Sequence, residues 1–304
     1  MSLGVDMVTF KTCTFDCVYC QLGVTTVETA DRQAFVPKDE VLKEIRETLT
    51  HETKKIDFVT LSGSGEPTLN SDIGKIIDEI KLFTDIPIAV LTNGSLLYRA
   101  DVRKDLSKAD LVVPSLDAVA DDTFVKVNRP CKSLKLDDII DGLRVFTEEF
   151  QGKIWLEIML VRGINDDPGE LRRISEIVRK LRVDKIQLNT VVRPPAEDYA
   201  EPISYDEMQS ILELFDDRAE VIVDFDKPID HGTNNESSPE LTEGRIISLI
   251  KRHPCTIDDM SKSLGIYKDE IAKYADIMVD RGVIKRVKRG DRWYYEFSSD
   301  IEER

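Results

Sequence analysis

The chain has 304 residues, 41% hydrophobic and 33% charged, with a formal net charge of −16. That length suits one large domain or two. The negative balance excludes diffuse nucleic-acid binding over the whole surface, and no apolar run approaches the ~18 residues of a membrane span. The N-terminus, MSLGVDMVTFKTC, lacks the basic-then-apolar order of a signal peptide. A cytosolic location follows as the expectation, and there clustered cysteines bind metal or do chemistry more often than they form disulfides.

In chain order, residues 1–225 alternate β-branched runs with amphipathic stretches. Strands are predicted at 5–10, 56–62, 86–92, 109–116, 153–161 and 184–192. Helices are predicted at 39–49, 71–83, 136–150, 168–181 and 204–215. A further run, AEVIVDF (219–225), closes the body. Such alternation predicts an α/β fold with a parallel sheet and outer helices. Six βα units suit an open partial barrel better than a closed eight-fold one. Residues 226–240, DKPIDHGTNNESSPE, are polar and breaker-rich and read as a linker.

Residues 241–304 carry 13 Lys/Arg against 12 Asp/Glu, whereas the rest of the chain carries 29 against 46. Helices are predicted at 242–253, at 256–265 with Thr256 as cap, and at 267–282 ending on Gly282. A hairpin is predicted at 283–298, turning at Arg289-Gly290-Asp291. Three helices and a hairpin of these lengths predict a winged helix-turn-helix domain.

The chemistry concentrates in FKTCTFDCVYCQ (10–21), where Cys13, Cys17 and Cys20 are spaced C-x3-C-x2-C. They follow the first strand, at the end of the barrel where (β/α) folds place their active residues. Zinc prefers four ligands in paired motifs. Cys131 and Cys255 are isolated, and His51, His231 and His253 are scattered. A [4Fe–4S] cluster usually takes four cysteines, so three leave one iron open to a substrate.

Over nearly all of residues 1–225 the chain resembles the radical S-adenosylmethionine (SAM) superfamily. The resemblance rests on the cysteine triplet with Tyr19 before its last member, LSGSGEPTL (61–69), LTNGSLL (91–97), PSLDA (114–118), VNRP (127–130) and MLVRGIND (159–166). Within it the chain most resembles an Fe–S oxidoreductase branch related to the wyosine tRNA-base synthetases. Their second cysteine set is absent here, and relatives carry a short basic lead before SLGVD. The resemblance implies a partial (β/α)6 TIM-like barrel. It also implies one [4Fe–4S] cluster on Cys13, Cys17 and Cys20, SAM on the open iron, and an electron donor such as ferredoxin or flavodoxin.

Under the resemblance each motif acquires a role. Gly63 and Gly65 let the backbone approach the methionine moiety, and Glu66 accepts from its ammonium. The alternative for that segment is a plain strand-to-helix turn. Ser115 and Asp117 fall on one side of a strand and meet the ribose or carboxylate, or else Asp117 caps a helix. Asn93 lines the site or makes a turn. Glu157 sits in an apolar run where a lone carboxylate is costly and contacts SAM, while Arg162 reaches its carboxylate. Gln187 and Asn189 alternate with apolar residues and face the barrel, and Arg193 with its neighbouring prolines contacts substrate. Cys131 is read as a buried structural thiol, or else as a reactive group near the site.

In the tail, the third helix carries three Lys/Arg and four carboxylates, a poor match to phosphate. The wing carries Lys285, Arg286, Lys288, Arg289 and Arg292 beside Trp293, Tyr294 and Tyr295, a basic patch with stacking groups. A macromolecular substrate is expected, RNA ahead of peptide. A small-metabolite enzyme and a non-catalytic Fe–S or SAM-dependent transcriptional sensor are the competing readings.

Overall fold

The computed structural model describes residues 2–52, 55–192, 195–223, 239–252, 254–264, 266, 268–289 and 292–298. The chain packs as two units. One comprises residues 1–18, 24–191 and 200–223, and the other 19–23, 192–199 and 224–304. Most of the expected linker and the hairpin turn at Gly290-Asp291 lie outside the described residues, as does Arg193.

In the first unit, β1 (Ser2–Asp6) leads to two short strands, β2 (Thr12–Cys13) and β3 (Val27–Glu28), which pair with each other. Then come α1 (Lys38–His51), β4 (Phe58–Ser62), a 3-10 turn (Pro67–Leu69), α2 (Ile73–Ile80) and β5 (Ile88–Thr92). Next are α3 (Ala100–Leu106), β6 (Leu111–Pro114), α4 (Asp121–Val127), α5 (Leu136–Glu149) and β7 (Lys153–Leu160). The unit ends with α6 (Pro168–Val178), β8 (Lys185–Thr190), α7 (Tyr205–Leu212) and β9 (Ala219–Val221). Seven strands form one sheet in the order β1-β4-β5-β6-β7-β8-β9. Every pairing in it is parallel.

The sheet has one strand more than the six expected, because AEVIVDF contributes β9. The first strand lies earlier than VDMVTF. Its ladder ends at Asp6, whose Oδ1 accepts the Ser64 N–H at 2.9 Å, while the Met7 carbonyl accepts from Asn70 Nδ2 at 2.7 Å. Met7 and Val8 are therefore buried as loop, not as strand. Strand β7 shows why the pattern was readable. Ile154, Leu156, Ile158 and Leu160 are fully buried, whereas Trp155, Glu157 and Met159 alternate with them on a half-buried face. Strand β8 repeats this with Gln187 and Asn189, in register with Glu157 and Met159.

In the second unit, α8 (Pro239–Arg252), α9 (Ile257–Leu264) and α10 (Lys268–Asp280) precede an antiparallel pair, β10 (Ile284–Arg289) and β11 (Arg292–Phe297). Thr256 caps α9: its Oγ1 accepts the Asp259 N–H at 3.1 Å, and Asp259 Oδ2 accepts the Thr256 N–H at 2.8 Å. Gly282 follows α10 at φ 72°, a conformation that suits glycine. Among the described residues, no helix is long and apolar enough to cross a membrane.

Candidate functional site

Three features hold the cysteine loop. Lys11, at φ 57°, turns the chain into β2, and its carbonyl accepts from Thr26 and Val27 N–H, both at 3.1 Å. The segment after Cys13 is then sewn to residues 127–131. Asp16 N–H donates to the Asn128 carbonyl and Val18 N–H to the Val127 carbonyl, both at 3.0 Å. Cys131 N–H donates to the Thr14 carbonyl at 2.9 Å. Phe15 packs edge-on against Phe124 with centroids 5.4 Å apart, and Arg129 spans to the Asp16 carboxylate at 3.0 Å. VNRP therefore buttresses the cysteine loop.

No disulfide links the five cysteines, and Cys13, Cys17, Cys20 and Cys131 are half-buried. Two of the sulfurs face asparagine amides. Asn93 Nδ2 lies 3.6 Å from Cys13 Sγ and also donates to Thr14 Oγ1 at 2.7 Å. Asn128 Nδ2 lies 3.5 Å from Cys17 Sγ and donates to Asp117 Oδ2 at 2.7 Å. Cys20 and Tyr19 belong to segment 19–23 of the other unit, where the Cys20 carbonyl accepts from Gly23 N–H at 3.0 Å. Among the described residues no three His, Cys, Asp or Glu side chains converge on a single-ion site. A four-iron cluster sets its sulfurs wider apart than one ion does. Half-buried sulfurs with amide donors suit the thiolate ligands that a four-iron cluster takes.

Several of the predicted contact residues have partners within the protein. Glu66 is 2% exposed. Its Oε1 accepts from Thr68 N–H (3.0 Å), Thr68 Oγ1 (2.5 Å) and Thr92 Oγ1 (2.6 Å), and its Oε2 from Asn93 N–H (2.7 Å). The carboxylate braces the turn that carries Asn93 through these four protein donors. Burial pushes its pKa above the ordinary range, and those four donors oppose the shift. Gly63 and Gly65 lie close against neighbouring protein atoms. A Cβ on Gly63 would meet Asp6 Oδ1, and one on Gly65 would lie 1.9 Å from the Thr12 carbonyl oxygen.

Asp117 is buried and caps no helix, since α4 starts after Ala120. Its Oδ1 accepts the Met159 N–H at 2.9 Å and its Oδ2 the Asn128 amide. Arg162 also has partners within the protein. It pairs with both oxygens of Glu207, at 2.8 and 2.5 Å, and donates to the Pro202 carbonyl at 3.0 Å. That pairing holds the Glu207 carboxyl down at about 2. Gln187 donates to Glu220 at 3.2 Å. Cys131, expected to be buried, is half-exposed, with Ser133 Oγ 3.7 Å from its sulfur.

Three predicted residues do cluster. Ser115 forms an isolated parallel bridge with Glu157, and Glu157 Oε1 accepts from Asn189 Nδ2 at 2.8 Å. Burial raises the Glu157 pKa first and the nearby Asp117 charge adds to it, against the Asn189 hydrogen bond. Asn128 was quoted within VNRP but given no role. No local signal places it beside Cys17, 111 positions away.

A family model described as the radical SAM superfamily matches residues 7–191. The chain belongs to the radical SAM superfamily. Radical SAM proteins use a [4Fe–4S] cluster with three cysteine ligands together with SAM, and they need an electron donor. A protein named GTPase Obg from Brachyspira hyodysenteriae is 37% identical over 93% of this chain, which spans 41% of that protein. A UPF0026 protein of Methanocaldococcus jannaschii is 36% identical over 71% of this chain and 67% of its own length. A probable dual-specificity RNA methyltransferase RlmN from Thermotoga sp. strain RQ2 is 25% identical over 62% of this chain and 55% of its own. The structure of TYW1 with a lysine-pyruvate adduct shares the fold at TM-score 0.52 and 19% identity, covering 71% of each chain.

On the second unit's hairpin, Arg286 and Lys288 pair in register with Tyr295 and Trp293. The Arg286 guanidinium lies 4.8 Å from the Trp293 centroid, and Lys288 Nζ lies 5.8 Å from it. Trp293 is 45% exposed while Tyr295 is buried. Lys285 turns to Glu296 at 3.7 Å. Arg289 and Arg292 face each other at the hairpin end, and their side chains lie outside the described residues.

Proposed function

We propose that this chain is a radical SAM enzyme acting on RNA, with Cys13, Cys17 and Cys20 holding one [4Fe–4S] cluster. The observation that carries the reading is the C-x3-C-x2-C loop, with two of its sulfurs facing amide donors beside a parallel sheet. When bound and reduced, the cluster supplies one electron to the sulfonium of SAM, giving methionine and a 5′-deoxyadenosyl radical that takes a hydrogen atom from substrate. Ser115, Glu157 and Asn189 form the half-buried polar face offered to SAM. Glu66 and Asp117 act through Asn93 and Asn128 as positioning residues. Residues 1–225 are read as the catalytic domain and 241–304 as a winged helix-turn-helix.

RNA is favoured by the hairpin, where an exposed indole is flanked by two cations. That is the arrangement that stacks an unpaired base beside its phosphate. The RNA methyltransferase relative supports the same class. The test reconstitutes the protein anaerobically with iron and sulfide, adds dithionite and SAM, and measures 5′-deoxyadenosine with and without total cellular RNA. Cleavage is expected to rise with RNA. In the Trp293→Ala variant that rise is expected to fall at least several-fold, as about 1–3 kcal/mol of stacking is lost, while basal cleavage stays unchanged. Cleavage indifferent to RNA sinks the RNA assignment and moves the search to peptides or metabolites. A full cluster with no cleavage favours the sensor.

A further inference from the structure

We propose that Asn93 and Asn128 set the reduction potential of the cluster by donating amide hydrogen bonds to Cys13 and Cys17. The inference rests on the ligand assignment proposed above. Each amide is oriented by its other partners, so nitrogen and oxygen are not interchangeable. Asn93 Oδ1 accepts the Ser95 N–H at 3.0 Å, which leaves its nitrogen to Thr14 Oγ1 and Cys13 Sγ. Asn128 faces the Asp117 carboxylate, an acceptor, so nitrogen must lie there, and the second N–H reaches Cys17 Sγ.

Each asparagine is also held by a buried carboxylate. Glu66 Oε2 accepts the Asn93 backbone N–H, and Asp117 Oδ2 accepts the Asn128 side chain. The two arms come from different elements, Asn93 after β5 and Asn128 at the end of α4. An added electron makes the sulfurs more negative, so an N–H aimed at sulfur stabilises the reduced state more than the oxidised one. Hydrogen bonds to sulfur are among the levers that set cluster potentials. The pair therefore eases one-electron reduction by a low-potential donor of the flavodoxin or ferredoxin class. Asn93 and Asn128 are positioning residues for the reaction.

The experiment is an EPR-monitored dithionite titration of the full chain, reconstituted with iron and sulfide and without SAM. Asn93→Leu keeps the shape and removes both donors. At fixed ambient potential its reduced-to-oxidised ratio is expected to drop about tenfold, equivalent to about 59 mV for a one-electron couple. Iron and sulfide content should remain at the wild-type level. Asn128→Leu should shift the same way, and the double variant further than either. Asn128 is buried beside Asp117, so that variant can fail to fold. The half-buried Asn93 keeps the test decisive, with Asn93→Ser, too short to reach the sulfur, as its second form. A second readout uses wild-type protein grown on [15N]asparagine, whose reduced cluster should show a side-chain nitrogen coupling in pulsed EPR that Asn93→Leu lacks. A full cluster with an unmoved midpoint overturns this inference alone. No cluster in the wild type overturns the ligand assignment and this inference with it.

Discussion

Replacing Cys17 by alanine is expected to abolish cluster uptake while leaving the fold in place. Cys17 is half-buried, with the Asn128 amide 3.5 Å from its sulfur. The backbone around it is fixed by other atoms. Asp16 and Val18 bond to 127 and 128, Thr25 N–H donates to Asp16 Oδ1 at 2.6 Å, and Thr25 Oγ1 to the Phe15 carbonyl at 2.7 Å. Loss of one sulfur therefore removes a ligand without removing the loop. Iron and sulfide analysis with visible absorption measures the first effect, and circular dichroism the second. An intact four-iron spectrum in Cys17→Ala removes this residue from the ligand set.

Glu66→Ala is expected to destabilise the first unit strongly. Four donors converge on this carboxylate, and two of them, the Thr68 and Asn93 N–H groups, are backbone and cannot turn to water. Each buried donor left unpaired costs about 1–3 kcal/mol, so the total should be at least about 3 kcal/mol. Urea unfolding followed by circular dichroism measures it, and a loss below about 1 kcal/mol contradicts the brace. The sign of the pH effect follows from the raised pKa. Above its unfolded value the folded carboxyl binds a proton that the unfolded one has lost. Its contribution is thus fully present below the ordinary glutamate pKa and declines as pH rises through the higher folded value. The wild type should lose more stability on going from acid to neutral pH than Glu66→Ala does. Identical slopes for the two proteins contradict that shift.

The sheet was legible because burial imposes period two on β7 and β8, and because βα units need amphipathic helices of readable length. Helices α3 and α4 escaped notice because seven residues give barely two turns of periodicity. The cysteine triplet was legible because sulfur is rare and its spacing is local. The protein partners of Glu66, Asp117 and Arg162 were not. Residue type identifies a polar side chain, but its partner is chosen by packing between segments distant in sequence. Arg162 meets Glu207, 45 positions on, and Asn93 meets Cys13, 80 positions back. The glycines of LSGSGEPTL were noticed for the right property, lack of a side chain, but the close neighbours are Asp6 and Thr12 of the same protein.

The seam between residues 14–18 and 127–131 bears on how such a protein survives air. Its bonds run from protein to protein, through the Thr14 and Asn128 carbonyls and the Phe15–Phe124 contact. Oxygen that strips the inorganic core from this loop leaves the seam intact. On that arrangement the emptied loop is expected to keep its backbone, so iron and sulfide can be put back without a round of refolding.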